Sequence, residues 1–181
     1  MSASYAMNPE AVASHYDDLD PFYREIWGEH VHHGVWRTGQ ESDLEAAENL
    51  VSMVAKAGGI DSGSQVCDVG CGYGATAKIL VQRYGAKVTG LTLSDVQLQY
   101  ALQYNSVAGS TTYLLQDWCQ NQLPSGQFDA VLSVESMEHM PNLNSFFQES
   151  ARVLKPAGRL VICAWMACEH PNAAASHRVS R

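Results

Sequence analysis

Three glycines at every second position, Gly70, Gly72 and Gly74, follow the acidic Asp68 in the stretch VCDVGCGYGATAKIL, residues 66–80. A glycine turn lets the backbone approach a ligand where a Cβ would collide, and a helix that follows it points N–H groups at the same place. Further along, SVESMEHMP places Glu135, Glu138 and His139 just after an apolar run that ends at Val134. His139 has the natural pKa of a general base, and Glu138 is placed to orient it or to hold an acceptor. Neighbouring positions on a helical turn point in different directions, so a salt-bridged loop end competes for both residues. A third cluster, Glu29-His30-Val31-His32-His33, has the composition of a metal site. Residues 32 and 33 diverge on any regular element, however, and Cys67 and Cys71 have no second pair at finger spacing, so no metal is expected.

The elements that must carry these residues follow from periodicity. Apolar residues recur at helical spacing over Asp43–Ala57, and Gly58-Gly59 supply a stop. Gln65–Val69 reads as a strand entering the glycine turn, Ala75–Tyr84 as a helix, Lys87–Leu93 as a second strand and Ser94–Val107 as a helix. Ser94 and Gln97 fit the S-x-x-Q capping box. Thr111–Leu115 and Phe128–Val134 read as strands, Asn144–Leu154 as a helix and Arg159–Trp165 as a fifth strand after a Pro156-Ala157-Gly158 turn. Strands alternating with helices predict an α/β fold, an open, doubly wound parallel sheet with right-handed crossovers. Its ligands would bind outside the strand C-termini at the switch point.

Bulk properties narrow the partners. A chain of 181 residues, 46% apolar and 17% charged, suits one globular domain with a sizeable core. A net charge of -8 argues against nucleic acid or an anionic membrane surface. Five scattered cysteines fit a reducing, cytoplasmic setting. Neither an export leader nor an apolar run long enough to span a membrane is read from the sequence.

A glycine turn alone does not name its ligand. A nicotinamide or flavin site wants G-x-G-x-x-G and an acid at the end of the second strand. Here Ala75 stands in the third-glycine place and the second strand ends in Thr92-Leu93-Ser94, although Asp95 is near enough to keep an NAD-binding domain as an alternative. By contrast, Asp68-Val69-Gly70-Cys71-Gly72-Tyr73-Gly74 resembles the first motif of the class I S-adenosylmethionine-dependent methyltransferases. VTGLTLSDVQ, QDW, SVESMEHMP and ARVLKPAGRLVI resemble successive motifs of that family, in order. YDDLDPFYREIWGEHVHHGVW resembles the lid of its small-molecule subgroup, which includes tocopherol, sarcosine/dimethylglycine, sterol and cyclopropane-forming enzymes.

The resemblance implies a Rossmann-like sheet of strand order 3-2-1-4-5, with a helical lid over residues 1–42, a cofactor domain over 43–168 and a loose tail over 169–181. It implies S-adenosyl-L-methionine as cofactor, with Asp68, Gly70, Gly72 and Gly74 near the amino acid end and Thr92, Leu93 and Gln97 near the ribose. Asp117 and Trp118 would meet adenine, Val134 would line the site, and Trp36 or His33 would cover it. Against these stand plainer roles: a helix cap for Gln97 and a core edge for Trp118. The family's sheet normally ends in an antiparallel hairpin of two further strands, for which the sequence after Trp165 shows no pattern. Strand five is then an edge suited to a second copy of the chain. Methyl transfer to a C, N or O atom of a small molecule, with His139 or Glu138 as base, is the implied activity. The alternative is a truncated relative that binds cofactor without turnover.

Overall fold

The computed structural model describes residues 8–165. Its sheet holds β1 Gln65–Val69, β2 Lys87–Thr92, β3 Thr111–Leu115, β4 Phe128–Val134 and β5 Leu154–Cys163. All pairings are parallel, in the order β3-β2-β1-β4-β5 expected from the sequence. β1 is central because Val66, Cys67, Asp68 and Val69 are all buried, as a strand covered on both faces must be. On one face α3 Asp43–Gly58, α4 Ala75–Tyr84 and α5 Asp95–Tyr104 pack Leu50, Val54, Leu80 and Ala101 against Val66, Val88 and Leu132. On the other, α6 Leu143–Val153 packs Phe146 and Val153 against Cys67, Val69 and Val131. Winding reverses between β1 and β4, which opens a crevice at their C-terminal ends. Ahead of the sheet, α1 Pro9–Asp18 and α2 Asp20–Ile26 lead into a loop over 27–42. No helix among the described residues is long and apolar enough to cross a membrane.

Several expected boundaries move, each for a local reason. β5 begins at Leu154, which pairs with Phe128, and a register shift between Phe128 and Ala130 absorbs Pro156-Ala157-Gly158 within the strand. Ala157 takes φ +66 there, so the expected turn is a bulge, and α6 ends one residue earlier than expected. α5 stops at Tyr104 because Asn105, fully buried, leaves the helix to donate from Nδ2 to the Tyr73 carbonyl and to accept from Lys78. The capping box at Ser94 forms only by half. Ser94 Oγ accepts from the Gln97 N–H, but the Ser94 N–H donates to Thr92 Oγ1, leaving the Gln97 side chain to other work. A complete box instead starts α3, between Ser42 and Glu45. The expected tail at 169–181 and Cys168 lie outside the described residues.

Candidate functional site

The turn after β1 is held from behind. The N–H groups of Gly70 and Cys71 both donate to the Leu91 carbonyl, and Ser136 Oγ donates to the Val69 carbonyl at 2.6 Å. Gly70, Gly72 and Gly74 all take positive φ, but they serve different ends. A Cβ on Gly70 would lie 2.4 Å from the Ser136 Cβ, and one on Gly74 would lie 2.6 Å from the Tyr113 hydroxyl. At Gly72 a Cβ would meet nothing within 4 Å, so it would project into open space. Packing therefore requires the outer two glycines, and the middle one faces the crevice.

That crevice is a cleft of about 670 Å³, with the open solvent at its mouth included. Gly70, Gly72, Thr92, Leu93, Gln97, Asp117, Trp118, Val134 and His139 all line it. A smaller cavity of about 340 Å³ adjoins it, sharing Val31, Gly70, Gly72 and Val134, and has Asp68 in its wall. Nine of the sequence-expected positions thus meet on one cleft, and Asp68 lines the cavity that shares a wall with it.

Asp68 is 3% exposed, and its Oδ2 has no hydrogen-bond partner. Burial pushes its carboxyl up to about 7. An unpaired buried carboxyl is costly unless a ligand donor completes it, and an ammonium group is the donor that would also restore its charge. At the opposite end, Thr92 Oγ1 donates to Gln97 Oε1 at 2.9 Å, which presents the Gln97 amide beside the cleft. Asp117 caps the short 3-10 turn Trp118–Gln120 by accepting from the Cys119 N–H at 2.9 Å. Trp118 is only 2% exposed and its indole N–H donates to the Phe146 carbonyl, so most of its ring is core and only an edge borders the cleft.

At the mouth stands His139, whose Nε2 lies 3.1 Å from the Tyr16 hydroxyl. Its Nδ1 is buried without a partner. Burial lowers the His139 pKa, with Glu138 opposing and His15 adding to the shift. Tyr16 is pushed up to about 12, first by burial and then by Tyr23, Glu135 and Glu138, so it stays a neutral hydroxyl near neutral pH. Glu138 turns away and accepts from the Trp165 N–H at 2.7 Å. Glu135 holds a left-handed φ of +49, a strained conformation for a residue with a side chain. Its carboxylate accepts from the N–H and Nδ1 of His33, both at 3.0 Å.

The structure does not bring His33 and Trp36 to this cleft. His33 is spent on Glu135 and stacks edgewise on Trp27 and Trp165, while Trp36 is 39% exposed on a separate groove. Gly34 permits a close approach, but to α3: a Cβ there would lie 2.4 Å from the Ala46 Cβ. What covers the cleft instead is α1 and Val31. Asp17 accepts from Ser94 Oγ and the Val96 N–H at the start of α5, supplying the carboxylate that the end of β2 lacks in the sequence. Asp20 accepts from the Tyr73 hydroxyl at 2.7 Å, and Glu29 from that of Tyr100 at 2.9 Å. Tyr16 and Asp17 were readable only as part of the YDD run; their partners lie far along the chain. His30 and His32 carried a plainer signal, because residues two apart on extended chain share a face.

A doubly wound sheet with a cleft at its switch point, built from a glycine turn, a buried acid and an N-terminal cover, defines a Rossmann-like α/β domain. The chain belongs to the mycolic acid cyclopropane synthetase family, whose model matches residues 4–180. It is 33% identical over 168 residues to the probable chloroplastic tocopherol O-methyltransferase of Oryza sativa subsp. japonica, covering 86% of this chain and 46% of that one. Among solved structures, the [4+2]-cyclase SpnF superposes with a TM-score of 0.80 at 30% identity, over 85% of this chain and 59% of that one. The mycolic acid cyclopropane synthase CmaA1, in complex with SAH and CTAB, gives 0.74 at 29%, over 83% and 54%. The chain spans about half the length of the curated relatives it matches.

Proposed function

We propose that the cleft binds S-adenosylmethionine and that the chain forms the cofactor-binding, methyl-transferring part of a small-molecule methyltransferase. The observation that carries this reading is the orphaned Asp68 carboxyl, buried in the wall of a small cavity that shares Gly70, Gly72, Val31 and Val134 with the cleft presenting Gln97 and Asp117. The former would hold the cofactor's ammonium and the latter pair its ribose and adenine edge. Gly72 leaves room for the chain between them. A dinucleotide offers no ammonium to restore the charge of the buried Asp68.

When bound, the cofactor supplies an electrophilic sulfonium methyl. The protein's part is then proximity, orientation and removal of the acceptor's proton. His139, kept neutral by burial, is the base: in the tautomer that serves this, Nε2–H donates to the Tyr16 hydroxyl oxygen and Nδ1 keeps the lone pair to which an acceptor hydroxyl would donate. Tyr16 fixes the ring through Nε2 and, with α1, closes the cleft to water. The acceptor we propose is an apolar small molecule presenting a hydroxyl or a nucleophilic carbon, since Val12 and Met140 flank His139 and relatives named for tocopherol and sterol share this region. Cys67, Cys71, Cys119 and Cys163 are free thiols, in keeping with a reducing compartment such as the cytoplasm. A second copy of the chain is the cover we propose for the β5 edge.

Fold alone does not choose among chemistries, as the cyclase neighbour illustrates. A thermal-shift comparison tests the reading. S-adenosylmethionine and S-adenosylhomocysteine are expected to raise the melting midpoint, because each binds only the folded chain, and NAD to leave it unchanged. A response to NAD alone would overturn the assignment.

A further inference from the structure

The cavity around Asp68 has a second property, and its meaning rests on the cofactor reading above. An amino acid end carries a carboxylate as well as an ammonium, yet among the described residues no arginine or lysine lines this cavity, and its only cationisable side chains there are His30 and His32. We propose that the buried His30–His32 pair is the counter-group for the cofactor's carboxylate, taking up one proton from solvent on His30 Nε2 as the cofactor binds.

Hydrogen bonding orders the pair. His32 Nδ1 is 2.8 Å from the His33 carbonyl, which can only accept, so that nitrogen carries the proton. Neutral His32 then offers Nε2 as an acceptor, and His30 Nδ1, 3.1 Å away, must be the donor to it. Thr76 Oγ1, at 3.5 Å from the same Nε2, adds a weaker contact. The chain of bonds therefore runs from His30 through His32 to a carbonyl and leaves one bare lone pair, on His30 Nε2. A proton added there needs no other bond to change. The resulting imidazolium is held at its far end by a fixed dipole, an arrangement that suits a bound anion.

Both rings are buried, and burial together with their mutual proximity holds His30 down to about 4; burial likewise lowers His32. The charged groups that face them come from several elements. Glu29 adjoins His30, Glu48 belongs to α3, Arg83 and Lys78 to α4, and Glu135 and His33 lie beside His32. Arg83 is paired with Glu48, and Asp68 faces the same cavity. None of these supplies a free positive charge at the cavity wall. The empty histidine pair is thus neutral at pH 7, and arrival of the carboxylate raises the pair's affinity for a proton. By linkage, cofactor affinity falls as pH rises through the loaded pair's pKa.

Nitrogen-15 NMR of histidine-labelled protein at pH 7 tests this directly, with calorimetry confirming occupancy. Free protein is expected to show both rings neutral. Saturation with S-adenosylhomocysteine is expected to convert one ring to imidazolium, assigned to His30 with His30→Gln and His32→Gln. 5'-Methylthioadenosine, which lacks the amino acid end, should leave both neutral. If neither variant folds, the number of charged rings gained by the wild-type chain, one against none, still decides. His32→Gln should weaken S-adenosylhomocysteine at least about tenfold, the scale of a charge-assisted hydrogen bond, and 5'-methylthioadenosine much less. Binding of S-adenosylhomocysteine with both rings neutral, or equal weakening of both ligands, would overturn the proposal and leave the methyltransferase reading intact. Failure of S-adenosylhomocysteine to bind would overturn both.

Discussion

Asp68 concentrates the tension between stability and function in one side chain. Burial raises its pKa from 3.8 to about 7, so the free folded chain binds a proton that the unfolded chain releases. The sign follows: stability from this group is fully present below about pH 3.8 and is lost as pH rises through about 7. Asp68→Asn removes the buried charge at alkaline pH and is expected to raise the melting midpoint at pH 8 by about 5 °C, equivalent to roughly 2 kcal/mol, while weakening S-adenosylhomocysteine at least about tenfold. Scanning calorimetry and titration check the two halves, and a lowered midpoint at pH 8 would contradict the account. For His139, the lowered pKa predicts that kcat at saturating cofactor keeps its value down to below pH 6.5 and falls only as that group protonates. His139→Ala should cut kcat about a hundredfold with cofactor affinity unchanged, and equal losses in both would assign it a structural role. Asp68 and His139 were legible in the sequence because motif neighbours mark them. Tyr16 is legible as part of the lid-like YDD run, but its partner is not, since the hydrogen bond to His139 closes only once α1 docks.

Elements place these residues, and the glycine turn shows how. Gly72→Ala is expected to keep the fold, because its Cβ enters open space, at a cost of about 1 kcal/mol for the positive φ, yet to displace cofactor. Gly70→Ala collides with Ser136 and should lower the melting midpoint several degrees more. Circular dichroism melts with S-adenosylhomocysteine titrations separate the pair; identical behaviour would mean that the turn only packs. The N-terminal cover is held by Asp17 at the start of α5, so Asp17→Ala should speed S-adenosylhomocysteine dissociation several-fold in stopped flow, and an unchanged rate would deny α1 that role. β1 and β4 were readable because a strand buried on both faces is a short apolar run, and the edge strand β3, of which only Tyr113 is buried, because of its β-branched and aromatic content. β5 was misread at its start, since no local signal distinguishes a bulge at Pro156-Ala157-Gly158 from a turn; pairing with Phe128 decides it. The half-formed cap at Ser94 has the same origin, a competing Thr92 hydroxyl that spacing alone does not rank.

At the scale of the whole molecule, sheet order converts scattered motifs into one site. The turns after β1, β2 and β4 and the 3-10 turn after β3 converge because parallel strands end on one side, and the N-terminal segment ties to three of those four through Tyr73, Ser94 and Glu135. Sequence patterning could forecast that convergence but not which N-terminal residues would close it: His33 and Trp36 were the expected covers, and Val31 with α1 fills the place. S-adenosylmethionine is predicted to span the cleft and the adjoining Asp68 cavity. A crystal structure of the protein grown with S-adenosylhomocysteine tests it most directly. The predicted result is a ligand with its ammonium within hydrogen-bonding distance of Asp68 Oδ2 and its adenine beside Asp117. A ligand bound elsewhere, or reversed so that adenine meets Asp68, would contradict the claim.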